Sequence, residues 1–185
     1  MRLAVTVACA VALGGAAPSF AKERPVEWAV PVEKPGLPNL HRVTGWLYRG
    51  AQPTDAGMRA LAEMGIRTVV DLRAWHSDEK LIAGTGLALV HIPIHTNAPH
   101  VEQVIEFLRV AADPARRPIF VHCQHGADRT GMMMAMFRIA ALGWTREAAI
   151  AEMRDGGFGF HAIWQNLIDF ILKADLALIQ KSAKL

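Results

Sequence analysis

The fold is decided by the stretch Val121-His122-Cys123-Gln124-His125-Gly126-Ala127-Asp128-Arg129-Thr130-Gly131, in a chain of 185 residues. The apolar run 118–121, which leads into it, is typical of a buried parallel strand. Residues 130–142 keep one helical side apolar, and Gly143 is placed to end a helix. The sequence therefore predicts a strand, a tight loop and a helix in direct succession.

This loop is predicted to bind an anion. A loop that enters a helix N-terminus directs several backbone N–H groups at one point, and the helix dipole adds partial positive charge there. Cys123 and Arg129 lie at its two ends, with five residues between them. The helix N-terminus and the arginine favour the thiolate of Cys123, and the guanidinium of Arg129 can hold two phosphate oxygens. We therefore predict that Cys123 is a nucleophile that forms a cysteinyl-phosphate, which water hydrolyses, and that Arg129 is the phosphate clamp.

The other residues of the loop are predicted to support this chemistry. The backbone N–H groups that form the phosphate cradle belong to Gln124, His125, Gly126, Ala127, Asp128 and Arg129. The Thr130 hydroxyl is placed to hydrogen-bond the thiolate, and His122 to hydrogen-bond the backbone beside it. His125 supports the loop or faces the substrate. His122 and His125 have no third ligand at a suitable spacing, so neither a metal nor another cofactor is predicted.

The sequence from His122-Cys123 through five residues to Arg129-Thr130-Gly131 resembles the signature of the cysteine-based protein tyrosine and dual-specificity phosphatases. Residues 48–54 and 69–73 resemble segments of the compact, atypical bacterial members, and the resemblance spans roughly residues 38–180. It implies an α/β fold in which helices flank a central, mostly parallel sheet, as the alternation of predicted strands and helices also indicates. It also implies hydrolysis of phosphotyrosine, other phosphoprotein or small phosphomonoester substrates without a cofactor.

The proton donor is the main departure from that family, whose members usually supply an aspartate from an earlier loop. The corresponding residues 91–100 contain no carboxylate. Asp128 within the loop is the first candidate, and His95, His100 and Asp78 are the others. Asp128 could equally be a carboxylate that stabilises the first turn of the helix. The pattern Cys-x-x-Gly-x-Asp-Arg-Thr also resembles phosphatases of phosphoinositides, such as myotubularins, so phosphoinositides or inositol phosphates are alternative substrates.

Two other classes of protein fit the same loop. Without a proton donor it could be a catalytically weak phosphate-binding module. A redox or sulfurtransferase protein could also use Cys123 without phosphate, since such proteins place a cysteine at a similar strand–loop–helix site. A slow burst of one phosphate per chain without further turnover would identify the binding module. Vanadate or phosphate should protect the thiol only if the loop is an oxyanion site, so a lack of protection would identify the redox or sulfurtransferase protein.

The N-terminal residues predict export. Residues 1–21 have the positive start, short apolar run and small residues of a secretory signal peptide, and the run is too short to span a bilayer. Residues 22–40 contain four prolines and predict an extended arm, and residues 41–185 form the phosphatase domain. Removal of Cys9 with the signal peptide leaves Cys123 as a single thiol in a periplasmic or secreted protein. The formal net charge of +3 favours neither nucleic acid nor a membrane surface as partner, and no pattern indicates an oligomeric state.

The remaining elements are assigned from periodicity and end signals. Strands are predicted at residues 41–50 (an edge strand), 66–72 and 87–94, and helices at 54–64, 101–112, 145–153 and 161–179. Arg49 has three interpretations: a surface charge, an ion-pair partner of Asp71, or a second phosphate contact. The structural interpretations are favoured over the functional one.

Overall fold

The computed structural model describes residues 24–185, so the predicted signal peptide lies outside the described residues. The described residues form a sheet of six strands in the order β1-β2-β3-β6-β4-β5. The strands are β1 (Val30–Pro31), β2 (His41–Arg42), β3 (Leu47–Gly50), β4 (Thr68–Arg73), β5 (Ala88–Ile94) and β6 (Ile119–His122). Strands β3, β6, β4 and β5 are parallel, and β1 and β2 extend the sheet antiparallel. The predicted α/β fold with a mostly parallel sheet is confirmed.

Helices cover both faces of the sheet because successive strand side chains point to opposite sides. The helices are α1 (Asp55–Glu63), α2 (Glu79–Ile82), α3 (Val101–Ala112), α4 (Asp128–Leu142), α5 (Arg146–Asp155), α6 (Gln165–Lys173) and α7 (Leu176–Ala183). Val69 and Phe120 pack with α1 in the smaller core cluster. Val70 and Val121, one residue further along their strands, pack with helices α3 to α7 in the larger one.

The segment predicted as an arm is part of the domain. It contributes strand β1, and Ala29, Leu37 and Leu40 are buried. The backbone N–H of Ala29 donates to the Glu152 carboxylate over 2.6 Å. The prolines therefore shape an extended segment that packs on the body, and they do not make it a free tether.

Three further predictions need correction. The region 41–50 is a short hairpin, and β3 lies inside the sheet between β2 and β6. Helix α4 begins at Asp128, not at residue 130. The predicted last helix is divided into α6 and α7 because Ala174 is extended (ψ 133°) and the Asp175 side chain begins a new helix by accepting from the Leu178 N–H over 3.0 Å.

The sheet places the loop 123–127 at the carboxyl end of β6, an interior strand, and at the start of α4. Parallel α/β sheets bind ligands at this edge. In the part of the chain that the structure describes, no helix has both the length and the apolar character that crossing a bilayer requires.

Candidate active site

The centre of the candidate site is the loop between β6 and α4. Cys123 follows the last residue of β6 and is 1% exposed. The chain then turns through Gly126, whose φ is +70°, before α4 begins at Asp128. The loop therefore joins a buried strand to a helix N-terminus, as the sequence predicts, and Cys123 lies where the backbone N–H groups of that terminus converge.

Gly126 lets the loop lie directly on the end of β3. A Cβ at this position would approach the carbonyl carbon and oxygen of Gly50 to 2.4 Å and the nitrogen of Ala51 to 2.6 Å. Backbone atoms cannot retreat as a flexible side chain can, and a positive φ is costly for residues other than glycine. The position therefore requires glycine for two independent reasons.

We expect Gly126→Ala to lower both stability and activity. The backbone conformation alone costs about 1–2 kcal/mol, and the clash with β3 displaces the loop and misplaces the phosphate cradle. Thermal unfolding and steady-state hydrolysis of p-nitrophenyl phosphate measure the two effects. Gly84→Ala is the matched control, because Gly84 has a φ of +76° and open space around its Cβ position. Equal losses of stability and full activity in both variants would show that the close packing on β3 does not position the loop.

Arg49, on strand β3, holds the loop in place through a hydrogen bond to its backbone. It is 1% exposed, and its Nη2 donates to the carbonyl oxygen of Gly126 over 2.6 Å. The guanidinium carbon lies 3.6 Å from the ring centroid of Phe158. Burial lowers the pKa of Arg49 to about 10, against the opposing influence of the Glu152 and Cys123 charges, so the side chain remains cationic at neutral pH. The structural role favoured for Arg49 is therefore found, although its partner is the loop and not Asp71.

Asn39, from the segment predicted as an arm, also holds the loop. Its side-chain amide donates to the carbonyl oxygens of His125 and Phe158, each over 2.9 Å. The backbone of Asn39 has a φ of +56°, which asparagine tolerates better than most residues. Asn39 thereby connects the loop to the segment that precedes α6. Nothing in its local sequence indicates this contact.

A buried network fixes His122 at the other side of Cys123. Its Nε2 lies 2.7 Å from Asp78 Oδ2, and its Nδ1 lies 3.2 Å from the carbonyl oxygen of Cys123. Both ring nitrogens therefore face oxygen atoms that can accept a hydrogen bond. The contact with the backbone beside the thiol is the one predicted for His122.

Arg73 completes this network. Its guanidinium donates to Asp71 (Nη2 to Oδ2, 2.8 Å) and to Asp78. Burial disfavours the charged form, yet the hydrogen bonds and charges of Asp71 and Asp78 together raise the pKa of Arg73. Asp78 is 0% exposed and is engaged by both Arg73 and His122. It is therefore not available to protonate a leaving group, and we discard it as the acid.

Arg129 reaches across the sheet edge. Its Nη1 lies 3.5 Å from the carbonyl oxygen of Leu72 and 3.4 Å from that of Ile94, the ends of β4 and β5. These contacts hold the guanidinium at the edge where Cys123 emerges, and the rest of its planar fork forms no hydrogen bond within residues 24–185. That fork can grip two oxygens of a phosphate.

Thr130 does not form the predicted hydrogen bond. Its hydroxyl is fully buried and has no hydrogen-bond partner among the described residues, the thiol of Cys123 included. A buried hydroxyl without a partner costs about 1–3 kcal/mol. The support of the thiolate by Thr130 therefore stays a prediction that this structure does not display.

Asp128 and His161 form a pair at the mouth of the loop. Asp128 is 6% exposed, its Oδ1 accepts from the backbone N–H of His161 over 2.9 Å, and His161 Nδ1 lies 2.9 Å from its Oδ2. His161 lies 33 residues further along the chain, so spacing in the sequence does not indicate the pair. The segment 156–160 therefore packs beside the site and delivers His161 to it.

The two histidines proposed as alternative acids lie at different places. His95 directly follows Ile94, whose carbonyl faces Arg129, and its ring forms an edge contact with Trp75 at 4.8 Å between centroids. His100 precedes α3, where its backbone N–H donates to the side chain of Gln103 over 2.8 Å. The fold therefore keeps His95 near the clamp and uses His100 to begin a helix.

This arrangement suits one kind of chemistry, the transfer of a phosphoryl group to a cysteine held at a helix N-terminus and opposite an arginine. It defines the class of cysteine-dependent phosphatases. A family model described as "DSP-PTPase phosphatase fused to NAD+ Kinase" matches residues 33–166. The chain belongs to this family of dual-specificity-type protein phosphatases, and the predicted enzyme class is confirmed.

Individual relatives agree with this assignment. The chain is 33% identical over 182 residues to the dual specificity protein phosphatase TpbA of Pseudomonas aeruginosa. This alignment covers 94% of this chain and 80% of TpbA. A crystal structure of P. aeruginosa TpbA superposes with a TM-score of 0.77 at 29% identity, over 88% of this chain and 100% of that one. The catalytic core of Siw14 from Saccharomyces cerevisiae shares the fold, with a TM-score of 0.70 at 22% identity over 80% and 92% of the two chains. The likeness to TpbA favours a protein phosphatase over the phosphoinositide, binding-module and sulfurtransferase alternatives, whereas the likeness to Siw14 shows the fold alone.

Proposed function

We propose that this phosphatase hydrolyses phosphotyrosine in protein substrates through a phosphate ester of Cys123. The observation that carries the proposal is the loop itself, in which a buried thiol, a helix N-terminus and the free fork of Arg129 meet at one edge of the sheet. TpbA has been crystallised in complex with phosphotyrosine, and its structure at 29% identity gives that substrate class support here.

In the first step the Cys123 thiolate attacks phosphorus in line with the bond to the leaving oxygen. The S–P bond forms as the P–O bond to the tyrosine breaks, and the phenolic oxygen takes a proton. The loop N–H groups and Arg129 hold the three non-bridging oxygens as their charge redistributes, so the loop does not have to reorganise during the step. In the second step water attacks the cysteinyl-phosphate, and Cys123 leaves as the thiolate.

Two positive charges support Cys123 in both steps. Arg49 binds the loop carbonyl of Gly126, and Arg129 lies at the end of the loop. Cations near a thiol favour its thiolate. They stabilise the nucleophile before attack and the leaving group in the hydrolytic step.

The proton for the leaving group comes from the pair of Asp128 and His161. Asp128 lies at the mouth of the loop, and its Oδ2 lies 2.9 Å from His161 Nδ1. The half-exposed imidazole of His161 can pass a proton between solvent and that carboxylate. The same pair can accept a proton from the water that attacks in the second step.

We expect Asp128→Asn to slow hydrolysis according to the leaving group. General acid catalysis contributes about 10²–10⁴-fold when the leaving oxygen needs a proton, so kcat for phosphotyrosine should fall by about 10²-fold or more. With p-nitrophenyl phosphate, whose leaving group departs as an anion, kcat should fall far less. Steady-state kinetics with both substrates measures the difference.

His95→Asn is the control for this assignment, because His95 is the candidate acid that remains near Arg129. His95→Asn should lower kcat only slightly, and by the same factor for both substrates. If kcat falls according to the leaving group in His95→Asn but not in Asp128→Asn, the acid is His95.

An aromatic contact beside the site suits an aryl phosphate. Trp75 is 82% exposed, and its ring contacts that of His95. Trp75 lies shortly after β4 and His95 directly after β5, the two strands whose Leu72 and Ile94 carbonyls face Arg129. A large apolar side chain left in solvent at this place offers a face for the ring of a phosphotyrosine or for a neighbouring peptide side chain.

We further propose that the enzyme acts outside the cytoplasm after removal of residues 1–21. The pattern of those residues and the single cysteine of the remaining chain support export. Fractionation of cells that express the full-length chain should give a processed protein beginning near Lys22 in the periplasmic or secreted fraction. An unprocessed chain in the cytoplasm would contradict this location.

A further inference from the structure

Three side chains lie close together at the mouth of the loop, and the proposed hydrolysis uses only two of them. His125, Asp128 and His161 each offer one ligand atom, and these atoms lie within 4.8 Å of one another. The two imidazole centroids are 5.5 Å apart, and both histidines are exposed. The sequence shows only His125 and Asp128 as neighbours, and the fold adds His161.

The backbones of all three residues are held in place. The Asn39 amide donates to the carbonyl oxygen of His125, and Asp128 begins α4. The backbone N–H of His161 donates to Asp128 Oδ1. Only side-chain rotations remain to be ordered when the three groups converge on a ligand, which favours binding.

The charge at this place favours a cation. Asp128 is 6% exposed, and within residues 24–185 its only ion-pair partner closer than 4 Å is His161, at 2.9 Å. A buried carboxylate without a permanent cation is unfavourable. A second group, Asp71, Asp78 and His122, is also close together, but it is fully buried and both its carboxylates already bind Arg73, so it offers an ion no path of entry.

We propose that His125, Asp128 and His161 bind a divalent transition metal ion of the Zn²⁺ type. Two imidazole nitrogens and one carboxylate oxygen are a donor set that zinc accepts, with a fourth position left for water. Magnesium and calcium prefer oxygen ligands throughout.

Binding is tested without reference to turnover. In the full-length chain with Cys9→Ser and Cys123→Ser, no thiol remains to bind metal, and isothermal titration with Zn²⁺ should show one saturable site. His125→Ala and His161→Ala in that background should each weaken binding by about 10-fold or more. His76→Ala, which removes an exposed histidine outside the group, should leave it unchanged. Absence of a saturable site, or binding that neither alanine variant weakens, would overturn the site.

Discussion

Replacing Cys123 by serine is expected to abolish turnover of p-nitrophenyl phosphate while leaving the fold and the binding of oxyanions intact. A serine hydroxyl is not ionised near neutral pH, so the attacking anion is lost. The cradle consists of backbone N–H groups and Arg129, which the substitution does not touch. Removal of a nucleophile costs roughly 10⁴-fold or more in kcat where the rest of the site is intact. Serine is also the smallest change available, so a stability loss does not confuse the result.

The measurement is steady-state hydrolysis across pH, beside vanadate binding by both proteins. A chain that begins at Lys22 has Cys123 as its only cysteine. Alkylation by iodoacetate therefore reports on this thiol alone, and vanadate should protect it. Turnover that survives Cys123→Ser would place the nucleophile elsewhere. A wild-type protein that binds vanadate but releases no more than one phosphate per chain would be a binding module, and alkylation without protection would favour the redox alternative.

The sequence predicts the architecture around Cys123 well because its elements are local. Strand, loop and helix follow one another within the stretch that ends at residue 142, and apolar periodicity and end signals act over a few residues. The predicted nucleophile, clamp and cradle all lie in this one stretch. The comparison with TpbA confirms the class of enzyme that the loop indicates.

The supports of the loop are not local, and the sequence predicts them poorly. Arg49 reaches Gly126 from 77 positions away, and Asn39 reaches His125 from 86. Such contacts depend on which strands become neighbours, here β3 beside β6, and no periodicity encodes this. The signal that was available is the residue type, since an arginine within an apolar strand has to find a partner when it is buried.

The prediction of a separate N-terminal arm is wrong for a similar physical reason. Four prolines predict an extended chain correctly, but extension does not mean separation from the domain. Ala29, Leu37 and Leu40 are spread too far apart to form a recognisable pattern, yet each is buried against the body. Asn39 lies next to Leu40, so the packing of this segment also places a support of the active loop.

Asp78→Asn is expected to destabilise the protein strongly and to impair catalysis without removing the proton donor. Arg73 pairs with the two buried carboxylates of Asp71 and Asp78, and Asp78 also contacts the imidazole of His122. Asparagine keeps the shape but replaces the charged acceptor that Arg73 and His122 share with a neutral amide. Breaking a buried pair in this way costs about 3–5 kcal/mol. Urea unfolding measures the loss.

Asp113→Asn is the matched control for stability, because Asp113 pairs with Arg116 at 3.4 Å on the surface, where both side chains are about half exposed. That pair should contribute less than about 1 kcal/mol. If Asp78→Asn costs no more than Asp113→Asn, the buried network does not stabilise the fold, and the account of His122 fails with it.

The pH dependence of kcat/KM separates a supporting Asp78 from a catalytic one. In Asp78→Asn the falling limb of the profile should persist, because a supporting residue supplies no proton to the leaving group. Removal of the proton donor, in contrast, abolishes the falling limb at alkaline pH. We expect that loss in Asp128→Asn, and its appearance in Asp78→Asn instead would return the acid role to Asp78 despite its burial.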